Sequence, residues 1–308
     1  RFLEDVALYW LVDEGVDGLR LDYVRGVPHD FWADLYARVQ EKKPGAFLVG
    51  ECWLDGASAD ANAEEIANYY RPVDGKPQFT SLLDFPMQIL MTESFARGGS
   101  LRSVEEWLQG FEALYGPGAR PTFFLDNHDM SRFMAWAGDA NRLVAAVGFL
   151  AALSEPMVMF YGTETGLADG SPRPGFTDSG RIPMPWDHLD QALIGRVRAY
   201  LEARAEHPSL RSGGRYPLLV SDDVLAMVKE GEGEIALVAV NLGDGARTIE
   251  LGSAVPVAGE PELTLGAAPP KRQEGGLTWE LPPLTTAVAV WRARSSSPAD
   301  TGGADGRR

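Results

Sequence analysis

The first 165 residues of the chain alternate between short apolar strand patterns and amphipathic helix patterns, and no other feature of the sequence constrains the fold as strongly. Helical spacing is clear in the intervening segments, for example at Phe31, Leu35 and Val39. The predicted strands are 16–24, 47–51, 81–85, 121–125 and 156–161. Strands that alternate with helices of about 10–15 residues are typical of βαβ units, so we predict an α/β fold with a parallel sheet.

The number of strands limits how this sheet can close. A (β/α)8 barrel has eight strands and takes about 200–250 residues. Five predicted strands in the first 165 residues are too few to close one. A long loop rich in Gly, Pro and Asp follows at 163–187, and a further helix is predicted at 191–206.

The pattern changes near residue 208, where short strands separated by Gly- and Asp-bearing turns begin. This pattern predicts an all-β module. The last residues are small, polar and Gly-rich, which predicts a disordered tail. We therefore divide the chain into an α/β part at 1–207, a β-sandwich domain at 208–293 and a tail at 294–308.

Charge and cysteine content narrow the function classes. The net charge of −16 opposes binding to nucleic-acid phosphates, whereas a neutral sugar is not disfavoured. The single cysteine, Cys52, excludes an intramolecular disulfide and a Cys-rich metal site. The sequence has no run of 18 apolar residues, so we expect no membrane-spanning helix. Oligomeric state is left open, and so is localisation, because cytoplasmic and secreted proteins both fit.

Acidic residues follow three of the predicted strands at the point where each strand ends. Asp22 ends the first strand, Glu51 ends the second, and Asp129 ends a polar cluster after the fourth. Side chains at the C-terminal ends of parallel strands face the active-site mouth of a barrel or an open α/β sheet. A single Asp at such a position more often caps a helix or forms a turn. Three strand-end carboxylates, each with a polar companion, favour a catalytic site.

The residue types at these strand ends suit glycoside hydrolysis with retention, which uses one carboxylate as nucleophile and one as acid/base. Arg20 lies two residues before Asp22, on the same strand face, where its guanidinium is expected to favour the ionised carboxylate. Glu51 follows an apolar strand, a setting that raises a carboxyl pKa as a general acid requires. His128 adds a hydrogen-bond donor for sugar hydroxyls.

At these positions the sequence resembles the alpha-amylase family of glycoside hydrolases. Gly18–Asp22 looks like the family's motif on barrel strand four, Gly50–Trp53 like that on strand five, and Phe124–Asp129 like that on strand seven. Phe160–Gly166 is similar to the end of strand eight, and Arg181–Trp186 is similar to the loop after it. Together, in this order and spacing, the motifs are very specific, and the resemblance covers about residues 1–293.

The resemblance implies a partial (β/α)8 barrel, made of strands four to eight, followed by a C-terminal β-sandwich. It implies a retaining hydrolase that cleaves alpha-1,4-linked glucans or maltooligosaccharides through a covalent glycosyl-enzyme. The implied nucleophile, acid/base and transition-state stabiliser are, in that order, Asp22, Glu51 and Asp129. The implied substrate-binding residues are Arg20, Arg25, His128 and Arg132.

Two departures from the family pattern affect these expectations. The motif of the third strand is absent, as are strands one to three, so we expect an N-terminally truncated chain that is poorly soluble and nearly inactive by itself. The family often has Lys-His where this chain has Arg25 and Gly26. Calcium is therefore not supported by the residues present, although the full-length parent could use it, and no cofactor is required.

Three alternatives remain beside hydrolysis. The same residues transfer glycosyl groups when a sugar replaces water as acceptor, so an alpha-glucan transglycosylase is one of them. An inactive fragment or a non-catalytic relative is the second, although all three carboxylates are present. An unrelated α/β enzyme is the third, but the chain has no Gly-rich dinucleotide fingerprint, no P-loop and no His-Glu-x-x-His zinc motif.

Overall fold

The computed structural model describes residues 1–252, 255 and 257–292, so the predicted tail at 294–308 lies outside the described residues. The helices are α1 (Phe2–Leu8), α2 (His29–Lys42), α3 (Ala59–Tyr70), α4 (Phe85–Met91), α5 (Leu101–Tyr115), α6 (Phe133–Ala137), α7 (Ala140–Ala151), α8 (Gln191–Glu206) and α9 (Pro208–Ser212). π-Helical turns continue α1 over Tyr9–Asp13 and α4 over Thr92–Ala96. No helix in this described part is long and apolar enough to cross a membrane.

Five short parallel strands form the first sheet region, as the alternation predicts. They are β1 (Gly18–Leu21), β2 (Phe47–Gly50), β3 (Ser81–Leu82), β4 (Phe123–Phe124) and β5 (Met157–Val158). β2 lies between β1 and β3, and β4 pairs with β5. A single parallel bridge between Leu83 and Thr122 links the two groups into one arc. Within the described residues, β1 and β5 each have one strand neighbour, so the arc is open at both edges.

The strands are shorter than the apolar patterns predict, because polar residues at their ends turn the chain into the next helix. The segment at 81–85 shows this most clearly. Its strand ends at Leu82, and Asp84 accepts a hydrogen bond from the backbone N–H of Met87 at 2.7 Å, which caps α4. Burial raises the pKa of this carboxyl to about 7.

Helices cover the outer face of the arc and form two apolar cores. One core lies between β1, β2 and helices α2, α3 and α5, with Leu48, Val39 and Ile66 at its centre. The other surrounds α7, whose residues from Leu143 to Ala151 are almost completely buried. A helix that is apolar on all sides is buried on all sides, which explains the position of α7 in the interior.

The C-terminal part is an antiparallel sandwich of two sheets. Its strands are β6 (Gly214–Val220), β7 (Val224–Gly231), β8 (Glu234–Asn241), β9 (Arg247–Glu250), β10 (Leu263–Leu265), β11 (Lys271–Gln273), β12 (Gly276–Leu281) and β13 (Thr285–Arg292). The five-stranded sheet has the order β10-β13-β8-β7-β6, and the three-stranded sheet has the order β11-β12-β9. Trp279, Leu237 and Ala287 pack between them. The exact boundary at 207/208 stays a prediction.

The five-stranded sheet has a second apolar face, and that face packs on α7 and α8. Met227, Val238 and Val288 belong to the same core as α7. The hydroxyl of Thr286 on β13 donates to the Ala145 carbonyl on α7 at 2.7 Å. The two parts of the chain therefore share one continuous core.

Candidate active site

Parallel pairing brings the first two strand-end carboxylates side by side. In the register of β1 and β2, Leu21 lies opposite Gly50, so Asp22 and Glu51 are the next residues on each strand. The backbone N–H of Glu51 donates to the Leu21 carbonyl at 2.9 Å and extends the ladder past the strand ends. Asp22 and Glu51 therefore lie at neighbouring strand ends, as the sequence predicts.

Arg20 connects the two carboxylates. Its guanidinium donates through Nη1 to Asp22 and through Nη2 to Oε1 of Glu51 at 2.5 Å. A planar guanidinium presents its donors in a fixed fork, so one side chain sets the direction of both acceptors. Arg20 thus contacts the proposed acid/base as well as the nucleophile, which is one contact more than the sequence predicts.

Asp22 and Glu51 differ in their access to solvent. The Asp22 side chain is 73% exposed and that of Glu51 is 8% exposed. Burial raises the pKa of Glu51 above its ordinary value; Arg20 opposes that shift, and the negative charges of Asp22 and Asp129 add to it. Buried Glu51, with its raised pKa, is suited to donate a proton, and exposed Asp22 is open to an incoming ligand.

Asp129 is held in place by neighbouring side chains and by its own loop. Its carboxylate contacts Nε2 of His128 at 3.2 Å and Nη2 of Arg181 at 2.5 Å. Its backbone N–H donates to Oδ1 of Asn127, and its carbonyl accepts from the N–H of Thr177 at 2.9 Å. Arg181 was not among the site residues predicted from the sequence, although the motif that contains it was recognised.

A cavity of about 230 Å³ joins the three strand ends. Arg20, Glu51 and His128 line it together with Asp126 and Asn127. Nδ2 of Asn127 is buried there and has no hydrogen-bond partner among the described residues. A buried amide donor without a partner is costly, so the fold alone leaves this group at the cavity wall unsatisfied.

The backbone directly after Asp22 is strained. Tyr23 has φ = 40°, in the left-handed region that non-glycine residues seldom adopt. A Cβ at Gly26 would lie 2.5 Å from the exposed Tyr23 ring, so a larger residue there would require the ring to move. The strained turn directs the chain into a short 3-10 helix and leaves the Asp22 side chain projecting from the end of β1.

Arg25, predicted to bind substrate, braces a neighbouring loop. Its Nε donates to Glu65 at 3.0 Å and its Nη1 donates to the Trp53 carbonyl at 3.2 Å. Within the described residues it makes no hydrogen bond to Asp22, Glu51 or Asp129. Sugar contact by Arg25 stays a prediction, and its contacts in this structure are with protein.

Arg132, also predicted to bind substrate, is completely buried. Its Nε donates to the Gly180 carbonyl at 2.8 Å, its Nη1 donates to the Tyr161 carbonyl at 2.6 Å, and its guanidinium lies 4.0 Å from the Phe160 ring centroid. Because every one of these groups belongs to 160–187, the side chain anchors that segment and is not placed to touch a sugar. The sequence reveals the arginine but not the direction of its side chain.

Asp126 is a second interior anchor, which the sequence analysis did not assign a role. This buried carboxylate accepts from the hydroxyl of Thr163 at 2.7 Å and from the N–H of Phe133 at 2.8 Å. Burial raises its pKa, and the two hydrogen bonds oppose that shift. These two hydrogen bonds close the segment that carries His128 and Asp129 and connect it to the loop after β5.

No group of three or more His, Cys, Asp or Glu side chains within the described ranges is arranged to hold a metal ion. The predicted absence of a cofactor is not tested by this geometry.

A family model describes most of the α/β part. Residues 1–209 match the model for alpha amylase, catalytic domain. The chain belongs to the alpha-amylase family. The match covers the five parallel strands and all the site residues described in this subsection. The family resemblance predicted from the motifs is therefore confirmed.

Curated relatives cover the same range at modest identity. Alpha-amylase 2 of Dictyoglomus thermophilum is 27% identical over 254 residues, which is 79% of this chain and 42% of that protein. A cyclomaltodextrinase of a Bacillus species is 29% identical over 264 residues, or 81% of this chain and 43% of that protein. A cyclomaltodextrin glucanotransferase of Niallia circulans is 26% identical over 270 residues, or 86% of this chain and 35% of that protein. The chain thus spans about two-fifths of the length of these relatives.

The fold is similar to that of a solved alpha-amylase. The alpha-amylase of Geobacillus thermoleovorans, crystallised with acarbose, superposes with a TM-score of 0.81 at 26% identity. The superposition covers 96% of this chain and 64% of that chain. The alpha-amylase fold is therefore confirmed, and it includes the C-terminal sheets as well as the α/β part.

Proposed function

We propose that the protein is a retaining glycoside hydrolase of alpha-1,4-linked glucans, in which Asp22 is the nucleophile and Glu51 the acid/base. The observation that carries the proposal is the Arg20 bridge, which holds an exposed and a buried carboxylate at adjacent strand ends. Membership of the alpha-amylase family supports the reaction class. The names of the relatives support the substrate class, since they include amylases and a cyclomaltodextrinase.

The proposed reaction has two steps. In the first, neutral Glu51 donates its proton to the leaving glycosidic oxygen while Asp22 attacks the anomeric carbon and forms a glycosyl ester. In the second, Glu51 as carboxylate takes a proton from water, which attacks the same carbon and releases Asp22. The raised pKa of Glu51 supports its role as proton donor.

Asp129 is the proposed transition-state stabiliser. Arg181 and His128 hold its carboxylate at the third strand end, where a negative charge favours the positive charge that develops on the sugar ring. The proposed direct sugar contacts are Arg20 and His128, which line the cavity. Arg132 acts in the proposal only by positioning the loop that carries Arg181.

We propose further that β1 to β5 correspond to strands four to eight of a (β/α)8 barrel. The parallel arc with one free edge at β1 and one at β5 supports this assignment. A closed barrel requires strands that pair with those two edges. We expect the full-length protein, called the natural protein below, to supply these strands and the rest of the substrate cleft.

The stereochemistry of the product tests the proposal. Proton NMR during hydrolysis of a maltooligosaccharide by the natural protein should show the α-anomer as the first product, because two inversions give net retention. Glu51→Gln should slow the reaction by about 10³-fold or more, since the general acid is lost. A β-anomer as the first product would contradict the assignment of Asp22 as nucleophile.

Transglycosylation is the second candidate. Its support is the similarity to a cyclomaltodextrin glucanotransferase of Niallia circulans over 86% of this chain. The two activities differ only in the acceptor that attacks the glycosyl ester. Added maltose should raise the yield of longer products if transfer dominates, and should leave the product lengths unchanged if water is the acceptor.

A further inference from the structure

A second cavity lies at the same end of the parallel strands but apart from the carboxylates. Its volume is about 240 Å³, and it shares no lining residue with the cavity that contains Glu51. Its walls come from the loops and helices that follow β2, β3, β4 and β5. Met130 and Ser131 line it, whereas Asn127 and His128 of the same segment line the other cavity, so both cavities border the segment that carries Asp129.

The floor of the second cavity carries a buried amide with a free acceptor. Gln88 is 8% exposed, and its Nε2 donates to the Thr92 hydroxyl at 3.0 Å and to the Leu125 carbonyl at 3.1 Å. A carbonyl only accepts, so the contact with Leu125 fixes which end of the amide is nitrogen. Oε1 then has no donor among the described residues, although the side chain lines the cavity. This oxygen is open to the cavity, because it is not among the buried atoms that lack a partner, and a ligand hydroxyl can donate to it.

The walls offer apolar surface and neutral hydroxyls. The half-buried indole of Trp136 lines one side, and Arg97 stacks over it at 5.3 Å and holds the ring at the wall. Thr92 and Ser131 present hydroxyl groups to the same space. Thr92 belongs to the π-helical turn that continues α4, and such turns recur at functional sites.

The charged groups at the rim already have partners in the protein. Arg97 is paired with Glu93 at 2.5 Å, so their charges cancel. Arg173, also at the rim, is exposed and is directed to the Thr177 hydroxyl. The cavity lies below the range of roughly 300–1,000 Å³ that drug-sized ligands occupy. An aromatic face, a buried amide acceptor, neutral hydroxyls and small volume together suit a single sugar ring.

We propose that this cavity is a second glucan-binding site that holds one glucosyl residue of the substrate class assigned above, and the inference rests on that proposed function. Trp136 packs on the ring, and Gln88 accepts from a ring hydroxyl. Both cavities lie at the same end of the strands, so one glucan chain can contact both, which raises its effective concentration at the carboxylates. The site binds sugar without reacting with it, because its lining includes only one carboxylate, Glu93, and that group is paired with Arg97.

Fluorine NMR with 5-fluorotryptophan separates the two sites. Trp53, two residues after Glu51, reports on the carboxylate cluster, and Trp136 reports on the second cavity; Trp→Phe variants assign both resonances. Maltose is titrated into the natural protein carrying Glu51→Gln, which prevents turnover. Both resonances should shift and saturate. Gln88→Leu should weaken the Trp136 response by about tenfold or more, the effect of roughly one lost hydrogen bond, and leave that of Trp53 in place.

Each outcome decides one or both of the two proposals. A response of Trp53 alone overturns the second site and leaves the proposed function standing. A response of Trp136 alone, weakened by Gln88→Leu, supports the second site and counts against the proposed function. No response at either position overturns both proposals. If glucose 6-phosphate binds at Trp136 in preference to maltose, the proposal that the ligand is a neutral sugar is overturned.

Two further variants protect the test against a folding defect. Trp136→Ala changes a half-buried position and should reduce the number of bound maltose molecules from two to one by calorimetry. Gln191→Leu makes the same type of change as Gln88→Leu at an exposed position on α8 and should leave both responses unchanged. Two bound maltose molecules in the Trp136→Ala variant would overturn the proposal.

Discussion

At the scale of single residues, the site depends on one arginine that contacts two carboxylates in different environments. Arg20 donates to exposed Asp22 and to buried Glu51. The same positive charge lowers the pKa of Glu51 while burial raises it. Because the net shift is upward, burial outweighs the arginine, and the balance sets the pH at which Glu51 loses its proton.

Removing the Arg20 charge tests this balance. In Arg20→Gln the ionised form of Glu51 loses a favourable neighbour, so its pKa should rise and the basic limb of the pH–activity profile should move to higher pH. Activity at the optimum should fall by about 10- to 100-fold, because a hydrogen bond to a charged group is lost. The pH dependence of kcat/KM measures both effects.

Arg25→Gln is the matched control, since Arg25 contacts Glu65 and the Trp53 carbonyl and makes no hydrogen bond to the two carboxylates. Its basic limb should stay close to that of the unmodified protein. A basic limb that moves to lower pH in Arg20→Gln would contradict the electrostatic account of Glu51.

The sequence allows the two carboxylates at the ends of β1 and β2 to be predicted, because strand ends and parallel pairing are local patterns. The direction of a long side chain is not local. Arg132 was predicted to bind sugar and is buried against the backbone of 160–187 instead. Arg181 was passed over as a site residue because its contact with Asp129 joins residues 52 positions apart.

At the scale of elements, the long loop at 163–187 has little regular secondary structure. Buried polar groups hold it in place. Arg132 binds its carbonyls, and Asp169 accepts from the backbone N–H of Arg132 and from the Ser179 hydroxyl. Thr177, which is fully buried, donates its N–H to the Asp129 carbonyl. Composition predicts a loop here, but the anchors exist only in the folded chain.

Arg132→Met should release this loop. The substitution leaves the Gly180 and Tyr161 carbonyls without their donor, and the buried Gly180 acceptor left unpaired costs about 1–3 kcal/mol. Hydrogen exchange should become faster across 163–187, and KM should rise because Arg181 is less well placed. Arg198→Met, an exposed arginine on α8, is the control and should change neither quantity. Unchanged exchange in Arg132→Met would contradict the anchoring role.

At the scale of the whole molecule, the α/β part and the sandwich are joined through a core that contains a buried cation. Lys229 on β7 is completely buried, and its Nζ donates to the Ser154 hydroxyl at 2.7 Å and to the Leu210 carbonyl at 2.6 Å. Burial lowers the pKa of Lys229 to about 7, although nearby Glu155 opposes the shift. Composition predicts two modules, whereas this polar seam between them depends on the docking of β7 against α9 and the end of α7.

Lys229 should make stability depend on pH. A lysine with a folded pKa of about 7 binds fewer protons in the folded than in the unfolded chain between about pH 7 and 10, so its unfavourable contribution shrinks as pH rises through that window. Lys229→Met removes this penalty but also leaves the Leu210 carbonyl without its donor, so its free energy of unfolding relative to the unmodified protein should be higher at pH 6.5 than at pH 9.5, by about 2–4 kcal/mol at most. Urea unfolding at pH 6.5 and 9.5 measures the difference.

The exposed Lys271→Met on β11 is the control and should show no such dependence. If the free energy of unfolding of Lys229→Met, relative to the unmodified protein, increased as the pH rises, the lowered pKa of Lys229 in the folded chain would be contradicted.

The central claim is that Asp22 forms a covalent bond with the sugar, and trapping that ester tests it most directly. The natural protein is treated with a slow fluorinated glucosyl fluoride, digested with protease and sequenced by mass spectrometry. The account predicts one added glucosyl group on Asp22, and none in Asp22→Asn. A label on Glu51, Asp129 or any other side chain, or rapid turnover with no trapped ester in Asp22→Asn, would contradict it.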